Sequence, residues 1–174
     1  MIELIKQRLT KEMPDEEKLN RARELIQLLC LKILDEKNSF ESLAFTCGTS
    51  LRVVFAMRRF SEDIDFSLVK KRDYSFQRMN DDLLKGFQAV GLKAESKPKA
   101  EKTVHSAMLK FPGLLKEIGL SPLEGQKFSI KLEVDTNPPQ GGHVQSRFIQ
   151  NAYVFNVAHF DLPSMFAAKL CACF

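Results

Sequence analysis

Residues 46–66 read TCGTSLRVVFAMRRFSEDIDF, and the fold turns on how they are parsed. Three pieces are expected. Thr46–Ser50 forms a small turn around Gly48, Leu51–Phe60 a short helix, and Ser61–Phe66 passes into a strand carrying Asp63 and Asp65. Alternate side chains of a strand share a face, so the two aspartates point one way while Ile64 and Phe66 point into the core. Two carboxylates at that spacing repel each other unless a cation sits between them. Hard oxygen ligands select Mg²⁺ (or Mn²⁺), which also grips phosphate. A glycine turn that opens a helix offers free N–H groups to such a phosphate. An isolated D-x-D is more often a solvated strand face. Gly-Thr-Ser, a helix and then Ser-Glu-Asp-Ile-Asp-Phe form a far more specific combination.

Working outward, Leu43–Thr46 is short and apolar and reads as the strand feeding the turn. Upstream, residues 1–12 form a short helix that ends before Met13-Pro14. Glu16–Glu36 is helical, with Leu19, Ala22, Leu25, Ile26, Leu29 and Ile33 recurring at three- and four-residue steps, and reads as a packing helix. Downstream, Ser67–Val69 completes the strand. Lys70–Asp73 is a basic turn, by default a solvated loop, with nucleic-acid backbone contact as the second reading. Residues 74–90 are helical up to Gly91, and 92–98 and 103–111 pair as strands around Lys99–Lys102. His105, on the second of these, is left without a role. Residues 114–125 are a short helical or irregular connection. In Phe128–Asp135 apolar residues alternate with Ser129, Lys131, Glu133 and Asp135. That is either an exposed edge of an antiparallel sheet or a functional polar face. After the loop TNPPQGGH, 146–157 supplies one more strand, and Asp161 or Ser164 starts a last helix. The fold class is α/β (α+β), a mixed sheet with packed helices. It is read as one domain, 1–174, with a helical part (1–40), a sheet core (41–160) and the start of a C-terminal helix (161–174).

Composition sets the outer bounds. At 44% hydrophobic and 28% charged residues the 174-residue chain can build a core. No apolar run reaches the roughly 18 residues of a membrane span, and the first 20 residues lack the apolar stretch of a signal peptide, so a cytoplasmic location is expected. Cys30, Cys47, Cys171 and Cys173 show no metal-ligand spacing and are expected to be reduced thiols. The net charge of +4 is compatible with a nucleic-acid partner but argues for it only modestly.

The opening stretch resembles the AbiEii-type nucleotidyltransferase toxins of the DNA polymerase β-like superfamily, whose pattern is Gly-Gly-Thr-Ser-Leu, a helix, then Arg-Phe-Ser-Glu-Asp-Ile-Asp-Phe. Gly48–Leu51 and Arg59–Phe66 match it, and Cys47 stands at the family's first glycine. The resemblance covers roughly residues 40–174. It implies a polymerase β-like core with Asp63 and Asp65 as catalytic metal ligands. A third carboxylate is taken from a neighbouring strand, Glu133 being the candidate and Asp135 the runner-up. It further implies Gly48, Thr49 and Ser50 on the triphosphate. Lys169 of the Ala-Lys-Leu helix reaches the same phosphates. In the family that helix runs on toward an Arg-Asp-x-x-Asp segment, before which this chain stops. The implied reaction moves a nucleoside monophosphate from a nucleoside triphosphate to an acceptor hydroxyl, on RNA and plausibly transfer RNA, by a toxin paired with an antitoxin. Two alternatives stay open: a nucleotide-binding relative that has lost turnover, and a nucleic-acid or protein interaction module.

Overall fold

The computed structural model describes residues 1–123, 125–126 and 128–171. Seven strands form one mixed sheet: β1 (Leu43–Thr46), β2 (Ile64–Leu68), β3 (Pro98–Ala100), β4 (Val104–Phe111), β5 (Phe128–Asp135), β6 (Val144–Gln150) and β7 (Val154–Phe160). Their order is β3-β4-β5-β2-β1-β7-β6. β2 runs parallel to β5 and antiparallel to β1, and β1 runs parallel to β7. The helices are α1 (Ile2–Arg8), α2 (Asp15–Glu36), α3 (Cys47–Phe55), α4 (Phe76–Ala89), α5 (Leu114–Glu117) and α6 (Leu162–Cys171). The expected mixed sheet with packed helices is therefore observed.

The period-two pattern places the core. Ile64, Phe66, Phe45, Leu132 and Val134 are buried on one face, where they join Leu25, Ile26, Leu29 and Ile33 of α2 and Leu83 and Phe87 of α4. Burying each such side chain contributes about 1.5–3 kcal/mol before entropy is charged. The alternate positions face the other way, where Ala44 joins Phe160 and Met165 of the sheet end and α6 in a small second cluster. No described helix is long and apolar enough to cross a membrane.

Three expectations are corrected, and one of two alternative readings falls away. The helix after β1 starts at Cys47 and stops at Phe55, instead of running over Leu51–Phe60. Ala56 turns into the left-handed region at φ 56°, and the Arg52 guanidinium donates to the carbonyls of Met57 and Arg58, holding 56–63 as an irregular loop. The single strand at 146–157 is a hairpin, β6 and β7, because the Asn151 side chain accepts from the Ala152 amide and caps a tight turn. The strand at 92–98 shrinks to one bridge at Glu95 and to β3, which takes in part of the expected turn; Pro98 has no N–H to give a ladder. β5 is no edge: it lies between β4 and β2. Cys30, Cys47 and Cys171 are free thiols. The expectations for Cys173 and for the helix beyond Cys171 lie outside the described residues.

Candidate active site

The site grows from the register of β2 against its neighbours. Asp65 is opposite Thr46 on β1 and beside Glu133 on β5, and Ser67 is beside Asp135. Adjacent strands lie about 4.8 Å apart. Asp65 and Glu133 are thus one strand spacing apart on the face that the core helices leave uncovered. Asp63 comes one residue before β2 and within electrostatic reach of both Glu133 and Lys131. A chain of local contacts fixes this approach. Gln27, 2% exposed in the middle of α2, donates its amide to the carbonyls of Ser61 (3.0 Å) and Glu62 (3.1 Å) and, more weakly, Asp63 (3.4 Å). The Thr49 hydroxyl donates to the Asp63 carbonyl. Arg23 lies 3.6 Å from the Glu62 carboxylate. Arg52 grips Glu24 of α2 with two N–H groups at 2.6 and 3.3 Å and stacks 4.0 Å over the Phe60 ring.

Position 48 is in close approach to the loop: a Cβ there would lie 2.7 Å from Ser61 Oγ, so a larger residue would have to push that side chain aside. The backbone conformation that favours glycine is one residue earlier. Cys47 sits at φ 62°, in the left-handed region, and this explains why the family pattern has glycine at that position.

The electrostatics are those of crowded negative charge. Burial first, then the charges of Asp63 and Glu133, push the Asp65 carboxyl up to about 6, against the partial relief of Lys169 and a hydrogen bond with the Cys47 thiol. Burial also raises Asp63, helped by Glu133 and Glu62 and opposed by Lys131 and Arg23. Cys47 is raised by burial and then by Asp65, with Lys169 opposing. Lys169 therefore stands close enough to act on both Asp65 and Cys47. Two cavities meet at Thr46 and Cys47. One, about 380 Å³, lies over Asp65, Ser67, Glu133 and Asp135 under Phe160 and Ala168. The other, about 440 Å³, is lined by Leu51, Met57, Met165 and Phe166 with Lys169.

The structure thus brings together Asp63, Asp65, Glu133 and Lys169, with Asp135 at the far end of the same face. It treats the expected triphosphate turn differently. Gly48, Thr49 and Ser50 line neither cavity; Thr49 and Ser50 are buried, and the Ser50 hydroxyl has no hydrogen-bond partner. Thr46 and Cys47, both half-buried, line the two cavities at the start of α3. Sequence reading also missed Gln27 and Arg52. Gln27 had a signal: it is the one polar residue in Leu25–Leu31.

A divalent ion suits this face in its donor set, which is all carboxylate oxygen on charge that burial leaves poorly compensated. Among the described residues no group of three His, Cys, Asp or Glu side chains is already gathered as a cage. The Glu133 carboxylate pairs with Lys131 Nζ at 2.9 Å. Asp63 and Asp65 suffice in number for Mg²⁺, which keeps most of its waters.

The sequence model of the family described as "Nucleotidyl transferase AbiEii toxin, Type IV TA system" matches residues 29–174. No curated protein sequence matched the chain significantly. Several solved structures resemble it, two of them as follows. "Crystal structure of JHP933 from Helicobacter pylori" aligns with TM-score 0.56 and 20% identity over 89% of this chain and 57% of that one. "Crystal structure of putative nucleotidyltransferase from H. pylori" aligns with TM-score 0.53 and 20% identity over 95% and 61%. At this identity the likeness concerns the fold, and the chain spans about three-fifths of the length of these two proteins.

Proposed function

The chain belongs to the AbiEii nucleotidyltransferase toxin family, and from that premise we propose that it transfers a nucleoside monophosphate from a nucleoside triphosphate to an acceptor hydroxyl. The proposed acceptor is RNA, transfer RNA in the first place, and the proposed setting is a toxin held in check by an antitoxin. The observation that carries this reading is the register that sets Asp65 beside Glu133, with Asp63 one turn of the strand pleat away and Lys169 facing them.

Each residue then has a task. Asp63 and Asp65 would hold Mg²⁺ or Mn²⁺, with Glu133 completing the carboxylate face. The bound ion supplies charge neutralisation at the α-phosphate and lowers the barrier for the attacking and leaving oxygens. The acceptor oxygen forms a bond to the α-phosphorus as the bond to the bridging oxygen breaks, and pyrophosphate leaves. Glu133 takes the hydroxyl proton. The amides that open α3 at Cys47 and Gly48, together with the Lys169 ammonium, neutralise the triphosphate. The rest of the work is positioning, which falls to the Gln27, Thr49 and Arg52 contacts behind the aspartates.

The test is incubation with each α-labelled triphosphate, Mg²⁺ and total RNA. Label in RNA that is lost in Asp65→Asn supports the reading. Triphosphate binding without transfer would instead favour a relative that has lost turnover, a reading that gains from the side chain at Cys47 in a glycine conformation. Neither binding nor transfer would leave an interaction module.

A further inference from the structure

Lys131 stands where a cation would. On β5 it is two residues before Glu133 and so on the same face, and its Nζ lies 2.9 Å from Glu133 Oε1. Its strand position is the one flanking Asp63, since Ile64 pairs with Leu132. The charges of Asp63 and Asp65 act on it as well. The side chain is 43% exposed, so its head can leave the face along a solvated path. An ammonium paired with Glu133 and within reach of the charges of Asp63 and Asp65 does what a divalent ion would do there: it offsets repulsion that the fold otherwise carries. Glu133 is held by this pair, and among the described residues no ready-made metal cage is gathered.

We propose that Lys131 is a built-in stand-in cation, holding Glu133 and screening Asp63 while the site is metal-free and giving way when a divalent ion arrives. The inference rests on the metal-dependent reading above. Its consequence is a competition within the chain: the metal must displace an ion pair before Glu133 can turn inward. Lys131 is thereby a positioning residue that sets the metal concentration at which the site assembles.

An ordinary cross-face ion pair, or a positive charge acting at a distance, makes a different prediction. The experiment is Mn²⁺ binding to the purified chain, followed by the loss of the free Mn²⁺ electron-spin resonance signal, with melting curves to verify folding. Lys131→Met, and independently Lys131→Gln, should bind Mn²⁺ about three- to fivefold more tightly than wild type, the scale of a partly exposed ion pair. Lys131→Arg should stay near wild type. In a Glu133→Gln background the gain from Lys131→Met should fall below about twofold, because the pair no longer exists. Unchanged or weaker binding in both neutral variants overturns the proposal, as does an equal gain with and without Glu133. If wild type and variants alike bind no Mn²⁺, the metal-dependent reading falls too. Binding by wild type without the coupled gain sinks only the role of Lys131.

Discussion

The two halves of the candidate site are held in place in different ways. The Asp63–Asp65 segment is fastened from behind by Gln27 of α2, by Thr49 and Gly48 of α3, and by the strand ladders of β1 and β5. Helix α6, which carries Lys169, rests on a small cluster of Ala44, Phe160 and Met165. It shows Leu162, Phe166 and Leu170 to solvent at 48, 66 and 46% exposure. Its start is well made, with Asp161 accepting from the Ser164 amide at 2.9 Å, but its face is thinly packed. The carboxylate half is fastened by several hydrogen bonds, whereas the helix of the lysine half rests on a smaller apolar cluster. A phosphoryl-transfer site needs rigid metal ligands, while a group that follows the triphosphate tolerates motion.

Substitutions can break that contrast, and the largest effect on folding is expected at Gln27. Gln27→Leu keeps the volume but leaves the part-buried Ser61 and Glu62 carbonyls without this donor, and should cost about 1–3 kcal/mol in denaturant unfolding. Next comes Asp65→Asn. The folded carboxyl is raised to about 6 from an ordinary 3.8, so its ionisation opposes folding. Stability is full below about pH 4 and declines as the pH rises through 6. The variant removes that penalty and should gain roughly 1–2 kcal/mol at pH 8, after allowance for partial exposure, and nothing at pH 4. Melting at the two pH values checks the sign. A smaller gain, about 0.5–1 kcal/mol, is expected for Cys47→Gly, which releases a left-handed residue from its Cβ strain. The smallest global effect belongs to Met165→Ala. Hydrogen exchange should quicken over 162–171, while the global unfolding midpoint moves by less than about 0.5 kcal/mol if α6 opens on its own. A full Met-to-Ala penalty of about 2 kcal/mol or more in global unfolding would mean that the two halves are one cooperative unit.

What the sequence reveals follows the range of the physics involved. β1 and β5 are legible because their patterns are local: LAFT opens with three apolar residues, and FSIKLEVD alternates at period two without a break. Asp63 and Asp65 are legible for the same reason. The end of α3 is not, since VVFAMRRF keeps helical propensity through Phe60. What stops the helix is Arg52 reaching forward to the carbonyls of Met57 and Arg58 while its other N–H groups hold Glu24. That is a tertiary contact over 28 residues. A second constraint on Gly48 is hidden for a related reason. A glycine in a turn suggests freedom of φ or a nearby phosphate, and its close approach to the Ser61 side chain shows only in the fold. The hairpin at Asn151 hides because QNAY lacks the glycine that usually marks a two-strand turn.

The most direct test of the central claim, that Asp63 and Asp65 form a divalent-metal site for triphosphate chemistry, is thermal melting with and without Mg²⁺ and nucleoside triphosphate. Wild type, Asp63→Asn and Asp65→Asn are compared at pH 8. A ligand that binds only the folded state raises its melting temperature. The account predicts a rise for wild type that both variants lose, although Asp65→Asn starts from the higher temperature. Equal rises in all three proteins would contradict it and would leave the two aspartates as a solvated strand face.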